Sequence, residues 1–262
     1  MSSKLRRVTI ANRLLNSGEA SITELAQTFG TSEMTIRRDL ELLEAEGLAR
    51  RVRGGAISTQ SRSYQAPILQ RSAHECEAKQ RIGEAAAELL APGETTIIDG
   101  GTTTLQMVRA INPGLGLTII TSSLLIATEL DTKPEIRVMV TGGKLRHGEM
   151  SLVGSRAEAS FVDLNCDSVF IGAAGLSEEK GITEYNMEDT EIKLAAIRSS
   201  RRVVVLADAS KMGQVAFVNV APLGEIDLIV TNASPHNRTI LAARELGVEV
   251  LHVEPVAQEI AS

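Results

Sequence analysis

Nothing in this chain approaches the roughly 18 consecutive apolar residues of a membrane-spanning helix, so an integral membrane protein is not expected. The basic residues near the N-terminus are followed by neither an apolar stretch nor a small-residue cleavage site. No signal peptide is therefore expected, and the cytoplasm is the expected compartment. Cysteine is scarce. Cys76 and Cys166 are the only two in 262 residues, and neither has a companion at metal-ligand spacing. Two inert thiols in a reducing compartment are expected. The four histidines, His74, His147, His236 and His252, are scattered. No metal site and no cofactor are expected, and no internal repeat is visible.

At roughly 150 residues per domain, the length suggests two units. The net charge of −6 looks wrong for a nucleic-acid binder, but its distribution matters more than its sum. Residues 1–56 hold nine Lys/Arg (Lys4, Arg6, Arg7, Arg13, Arg37, Arg38, Arg50, Arg51, Arg53) against seven Asp/Glu, a local charge of +2, which leaves −8 on the remainder. A basic head on an acidic body suits a DNA-binding domain joined to something with another task, and the acidic body keeps off phosphate backbones.

The head is the most patterned stretch. Apolar residues at 5, 8, 11, 14 and 15 make a helical stripe, ended by Asn16-Ser17-Gly18. Ser21-Ile22-Thr23-Glu24 has capping-box spacing and opens a second helix whose inner face is Ile22, Leu25, Ala26 and Phe29. A tight Gly30-Thr31 turn leads to a third helix, capped by Ser32, running to about Ala45 and stopped by Gly47. Residues 48–52 read as a strand that turns at Gly54-Gly55. This is the order of a helix-turn-helix with a basic wing.

With Ile36, Leu40 and Leu43 facing the core at helical spacing, Met34 and Arg38 point outward, with Thr35 and Arg37 on the shoulders. Exposed residues at the N-terminal end of such a helix reach base edges in a major groove. Arginine suits guanine and phosphate alike. Ser32 and the free amides of the first turn can hold a phosphate. Arg50, Arg51 and Arg53, on the wing, are expected to touch phosphate or the minor groove rather than to specify bases. The plainer alternative makes Arg37 and Arg38 solvated charges partnered by Asp39 and Glu41. The consistency of cap, turn and basic hairpin favours DNA reading. Asp39 would repel phosphate and is assigned a structural role.

Residues 58–66 are polar and mostly small and read as a linker. The expected division is 1–57 for the winged helix-turn-helix, 58–74 for the connection and 75–262 for the body. Beyond about residue 75, helices alternate with short, nearly continuous β-branched strands. Strands are expected near 95–99, 118–121, 137–141, 168–171, 202–207, 228–231 and 248–253. Helices are expected near 79–90, 102–111, 123–130, 190–199 and 237–245. The alternation argues an α/β domain with a mostly parallel sheet. Asp99-Gly100-Gly101-Thr102-Thr103-Thr104 follows a strand and opens a helix, a phosphate cradle on physical grounds, although such a loop is often just a tight turn. Thr121-Ser122 and Gly142-Gly143 end two further strands. Ligands of parallel sheets gather at carboxyl ends of strands, so three polar loops are expected to converge on one crevice. Lys211 could supply a cation for a phosphate, and Asp208 could take sugar hydroxyls or hold the lysine. Lys193 and Arg146 are further candidates.

The head closely resembles the winged-helix domain of the DeoR family of bacterial transcription regulators, through Thr35-Ile36-Arg37-Arg38-Asp39-Leu40, Leu43, Gly47, Arg50 or Arg51, and Arg53-Gly54-Gly55-Ala56. The resemblance continues through Lys79, Ile82, Ala86, Asp99 to Thr104, Thr121-Ser122-Ser123, Gly142-Gly143, Gly154, Gly172, Gly175 and Asp208-Ala209-Ser210-Lys211, to about Thr231. Two positions depart from the family pattern: Gly100 stands where serine is frequent, and Ser122 where asparagine is. The resemblance implies a sensor domain similar to ribose-5-phosphate isomerase and CoA-transferase-like folds. It further implies a phosphorylated sugar or related metabolite as effector, double-stranded operator DNA as partner, a homodimer or homotetramer, and repression of a carbohydrate-use operon. Because both departures fall in the implied pocket, the identity of the ligand stays open. An isomerase or transferase using Asp99, Asp208 and Lys211 on the same fold is the alternative, but such an enzyme does not need the head. A constitutive DNA-binding scaffold is a third possibility.

The helical register yields a test. Arg38→Ala is expected to weaken specific operator binding by about 1–3 kcal/mol and to change fold stability by no more than about 0.5 kcal/mol. Gel shifts and thermal unfolding measure the two; equal losses in both would place the reading face elsewhere.

Overall fold

The computed structural model describes residues 3–46, 48–58, 62–63, 65 and 68–254. Gly47, expected to stop the third helix, and residues 59–61, 64, 66 and 67 of the expected linker lie outside the described residues.

The N-terminal unit runs α1 (Ser3–Ser17), β1 (Glu19–Ser21), α2 (Ile22–Phe29), α3 (Glu33–Ala45), β2 (Ala49–Val52) and β3 (Gly55–Ser58). Ile36, Leu40 and Leu43 of α3 are buried together with Ile22 and Leu25 of α2 and Ile10 and Leu14 of α1, as the helical spacing requires. On α1 the packed row is centred on Ile10 and Leu14, whereas Leu5, part of the expected stripe, is 44% exposed. The expected capping box does not form. Ser21 has extended N-cap geometry but makes no side-chain cap bond, and Glu24 reaches Arg13 at 3.3 Å instead. Ser21 closes β1, an unanticipated strand that pairs with β3 to complete a three-stranded sheet in the order β1-β3-β2. Gly30 ends α2 in the left-handed region at φ 58°, where glycine has no Cβ to clash.

The rest of the chain forms α4 (Ile68–Ser72), α5 (Cys76–Ala87), β4 (Thr95–Ile98), α6 (Thr102–Ala110), β5 (Thr118–Thr121), α7 (Leu124–Leu130) and β6 (Arg137–Val140), then β7 (Lys144–Arg146), β8 (Ser151–Val153), α8 (Ser155–Ala159) and β9 (Cys166–Gly172). It continues through β10 (Gly175–Ser177), β11 (Gly181–Glu184), α9 (Met187–Arg198), β12 (Ser200–Leu206), β13 (Val218–Ala221), β14 (Leu228–Thr231), α10 (Arg238–Glu245) and β15 (Glu249–His252). Seven strands make a parallel sheet in the order β15-β14-β12-β9-β4-β5-β6. Both faces are covered, which explains the continuous apolar strands. Ile97, Val169, Ile171, Val203, Val205 and Ile229 pack on one side with α8, α9 and α10. Their neighbours Ile98, Phe170, Val204, Leu206, Leu228 and Val230 pack on the other with residues of α5, α6 and α7. Two smaller sheets, the β7–β8 hairpin and the antiparallel β10-β11-β13, were not anticipated from sequence. No helix among the described residues is long and apolar enough to cross a membrane.

The order of the main sheet positions the site. From β4 the chain winds outward through β5 and β6, then returns to the other side of β4 with β9 and winds outward through β12, β14 and β15. The carboxyl ends of β4 and β9 therefore flank a topological switch point, where the outgoing connections part and leave a crevice.

The helices α5 and α6 approach closely across Gly83. A Cβ there would lie 2.5 Å from the Met107 nitrogen and 2.6 Å from the Gln106 carbonyl carbon, both backbone atoms. Helix propensity alone would make alanine better by about 1 kcal/mol, but overpacking costs about 1–3 kcal/mol. Gly83→Ala is expected to lower the midpoint of thermal unfolding; a raised midpoint would mean that the helices part without cost.

Candidate functional site

A polar cleft lies at the switch point. The Asp99 carboxylate stands just past the end of β4, where its Oδ2 accepts from the Gly172 amide at 3.4 Å at the end of β9. Asn186 caps α9 by accepting from the Glu188 and Asp189 amides at 2.8 and 3.3 Å, which starts the helix earlier than expected. Asp189 and Lys193 then sit one turn apart and both line the cleft. Lys193 is not solvated. It is buried, donates to Asp99 and to the Gly172 carbonyl (3.0 Å), and lies 3.3 Å from Glu184 of β11. Burial by itself would lower the Lys193 ammonium's pKa, but the Asp99 and Glu184 carboxylates outweigh it and hold the group above its ordinary range. Burial raises the Asp99 carboxyl, against the pull of Lys193.

Across the cleft, α6 begins at Thr102 after Gly100 and Gly101, with no side-chain cap on its N-terminus. Thr102 and Thr103 join both glycines in the lining. Lys79, which the reading of the residues did not single out, lines the same cleft and is buried. It donates to the Arg71 carbonyl at 2.7 Å and to the His74 carbonyl. Burial lowers its pKa. Lys211 also lines the cleft and makes no ion pair among the described residues. Asp208 does not hold it. Asp208 Oδ1 accepts from the Ser210 amide (2.9 Å) and hydroxyl, while its buried Oδ2 has no hydrogen-bond partner among the described residues. The buried Ser151 hydroxyl, also in the lining, is equally unpartnered. Buried polar atoms are usually hydrogen-bonded, which sets these two apart in the lining.

The structure gathers Asp99, Gly100, Gly101, Thr102, Thr103, Ser122, Lys193, Asp208 and Lys211 in one lining. Four expected residues lie outside it. Thr121 is buried, its hydroxyl accepting from the Ser123 amide at 3.1 Å. Gly142 and Gly143 sit against β8 and α8, where a Cβ on Gly143 would meet the Val153 carbonyl at 2.7 Å. Gly143 serves close packing, and neither glycine lines the crevice. The ends of β9 and β12 line it instead, through Gly172 and Leu206. Arg146 stands behind the lining, ion-paired to Asp189 and donating to Gln65 at 2.9 Å. Glu184, Ser151 and Glu149 escaped the sequence reading because they lie on or beside the short strands β8 and β11, which carry too few residues for a periodic signal.

On the head, Ser32 caps α3 by accepting from the Thr35 amide at 3.2 Å. Met34 is 74% exposed. Arg37 pairs with Glu33 at 3.6 Å, and exposed Arg38 has no ion pair among the described residues. Neither takes Asp39, which is buried and bound to Arg6 at 2.6 Å and to Arg7 at 3.8 Å; it pins α3 to α1. The wing divides. Arg51, expected at a phosphate, pairs with Glu44 (2.7 Å) and Glu41 (2.6 Å) of α3. Successive strand residues face opposite ways, so Arg50 leaves on the other side of the ribbon. It and Arg53 are exposed and without ion pairs among the described residues.

A helix-turn-helix with a basic wing, joined to an α/β domain with a polar cleft, defines a transcription regulator built as reader plus sensor. The chain belongs to the DeoR family: residues 6–62 match the DeoR-like helix-turn-helix domain and residues 74–233 the DeoR C terminal sensor domain. It is 34% identical to the HTH-type transcriptional regulator GlpR of Haloferax volcanii, over 87% of this chain and 89% of that protein. It is 33% identical to the HTH-type transcriptional repressor GlcR of Bacillus subtilis, over 95% and 96%, and 33% identical to the glycerol-3-phosphate regulon repressor of Escherichia coli K12, over 83% and 86%. Among solved structures it is similar to a ribose 5-phosphate isomerase A from Methanocaldococcus jannaschii, with 18% identity and a TM-score of 0.36 over 51% of this chain and 53% of that one.

The cleft carries a pH signature. Burial pushes the Asp189 carboxyl from 3.8 up to about 6, against Arg146 and with Glu184 adding to the rise. The folded state then holds a proton that the unfolded state has lost, so stability falls as pH rises from 3.8 to about 6 and levels off above. The contribution is on the order of 2–3 kcal/mol at most. Asp189→Asn is expected to make the decline of melting temperature over this window shallower; an unchanged slope would mean that Asp189 titrates normally.

Proposed function

We propose that this protein is a transcriptional repressor of a carbohydrate-use operon, released from its operator when a phosphorylated sugar or related metabolite occupies the cleft. One observation carries the reading. A single cleft sets an uncapped helix N-terminus with two glycines beside Lys79 and Lys211, and also holds two buried polar atoms, Asp208 Oδ2 and Ser151 Oγ, that lack partners among the described residues. A helix N-terminus flanked by cations suits a phosphate, and an unpaired carboxylate oxygen suits a sugar hydroxyl. Ligand of that class would thus be held by Gly100, Gly101, Thr102, Thr103 and Lys211 at its anionic end and by Asp208, Ser151 and Ser122 at its polyol end. Lys193 and Asp99 would shape the floor. The name of the Escherichia coli relative, a glycerol-3-phosphate regulon repressor, agrees with this class.

Residues 1–57 would read DNA with Met34, Thr35, Arg37 and Arg38 of α3 and would use Arg50 and Arg53 for phosphate contacts. Residues 75–262 would sense the ligand, with 58–74 as the connection. A homodimer or homotetramer working in the cytoplasm would fit paired operator half-sites. The isomerase-like reading, through Asp99, Asp208 and Lys211, gives no use to the DNA-binding domain and would need Asp99 free of its lysine partner. Here Asp99 and Lys193 occupy each other, and Lys193 is held in its charged form.

Thermal-shift measurements on the full chain with glycerol 3-phosphate, glucose 6-phosphate and the unphosphorylated sugars test this. A phosphorylated compound, and not its parent, is expected to raise the midpoint and to release the upstream DNA in gel shifts. Lys211→Ala is expected to weaken that response about tenfold or more, the loss of one charge-assisted phosphate contact. A screen in which no phosphorylated sugar stabilises the protein would sink the proposal.

A further inference from the structure

The chain between the two domains does not merely pass the cleft; Gln65 and α4 form part of its wall. Gln65 and Arg71 both line the cleft. Three contacts fasten this stretch to the turn of the β7–β8 hairpin. The Ile68 amide donates to the Gly148 carbonyl at 2.9 Å, Arg71 pairs with Glu149, and Arg146 donates to Gln65 at 2.9 Å. The far side of the same turn is fastened to the ligand side of the sheet. The Leu124 amide donates to the Met150 carbonyl and the Leu152 amide to the Ser122 carbonyl, each at 2.8 Å, and Arg146 continues to Asp189. The turn itself is held in uncommon geometry, with Met150 at φ 54°, a region a non-glycine residue rarely occupies. Arg71 and Glu149 are largely buried, with side chains 22% and 11% exposed, and burial raises the Glu149 carboxyl.

Resting on the reading of the cleft as an anion site, we propose that Arg71 is a ligand contact, shared between Glu149 and the anionic group of the ligand, and that this shared guanidinium is the latch through which occupancy reaches the DNA-binding domain. A guanidinium in a low-dielectric wall responds strongly to a second anion, because both acceptors compete for its fixed fork of donors. Drawing Arg71 toward the cleft moves α4 (Ile68–Ser72) relative to the hairpin turn. That helix lies on the only covalent path to the head. The coupling arises from the difference in ligand affinity between latched and unlatched arrangements. Lys79 reinforces it, since its ammonium holds the Arg71 and His74 carbonyls that lead into α5.

Hydrogen exchange on the full chain, with inorganic phosphate as the probe, separates the possibilities. Protection of both the α6 N-terminal amides and α4 by phosphate supports the latch. Protection of α6 with α4 unchanged overturns it while leaving the cleft an anion site. Protection of neither removes the anion site and this inference with it. Without any ligand, Glu149→Gln is expected to speed exchange in α4 by about tenfold and to shift operator affinity by about threefold or more. Glu188→Gln, which breaks the exposed pair between Lys144 of the same hairpin and Glu188 of α9, is expected to do neither. A loosened α4 with unaltered operator affinity in Glu149→Gln overturns the transmission.

Discussion

The buried ammonium of Lys193 organises the sensor half of this protein. It closes a small charge cluster with Asp99 and Glu184 and also holds the Gly172 carbonyl. Four elements meet at one side chain: the end of β4, the end of β9, β11 and α9. Burying any one of these charges alone would be costly, and their mutual pairing offsets that cost. The cluster lines the polar cleft at the switch point of the sheet.

From that cluster the functions divide by charge. Toward α6 the lining offers donors: a helix N-terminus, two glycines, Lys79 and Lys211. Toward β8 and β12 it offers buried acceptors, of which Asp208 Oδ2 and the Ser151 oxygen lack partners among the described residues. Toward α4 it offers ion pairs, Arg71–Glu149 and Arg146–Asp189, that reach from the cleft into the chain leading to the head. An incoming anion thus meets groups already balanced against one another, so its charge alters which pairs persist. In the proposed latch, a small ligand would obtain its differential affinity in this way.

The head obeys the same economy with arginine. Arg6 and Arg7 are spent on buried Asp39 and lock α1 to α3; Arg51 is spent on Glu41 and Glu44 and locks the wing to α3. What these pairs free is orientation. Arg38, Arg50 and Arg53 project from a surface whose angle is set by their paired neighbours. An overall acidic chain can therefore present a local positive face.

The recognition helix was legible in the chain itself, because Ile36, Leu40 and Leu43 repeat at helical spacing and Ser32 can cap only one helix. The parallel sheet was legible for a related reason. Strands covered on both faces must be apolar throughout, and 118–121 and 228–231 announce themselves that way. The glycine-threonine loop after Asp99 was legible as a strand-to-helix turn, because two glycines follow an apolar strand and precede a helical pattern. Local pattern could not tell Arg51 from Arg50, since the difference is which face of the ribbon meets Glu44. Nor could it separate Gly143, whose missing Cβ makes room for Val153, from Gly101, which opens onto the cleft. It did not place Lys193 in the interior, nor join Arg71 to Glu149 and Arg146 to Gln65. Those partners stand far apart in the chain and come from short strands and turns without periodicity. Sequence by itself determined the elements and the chemistry available at their ends. The tertiary structure alone decided which charges are spent on one another and which remain for DNA and ligand, because pairing depends on distance in space and burial, which no local spacing records.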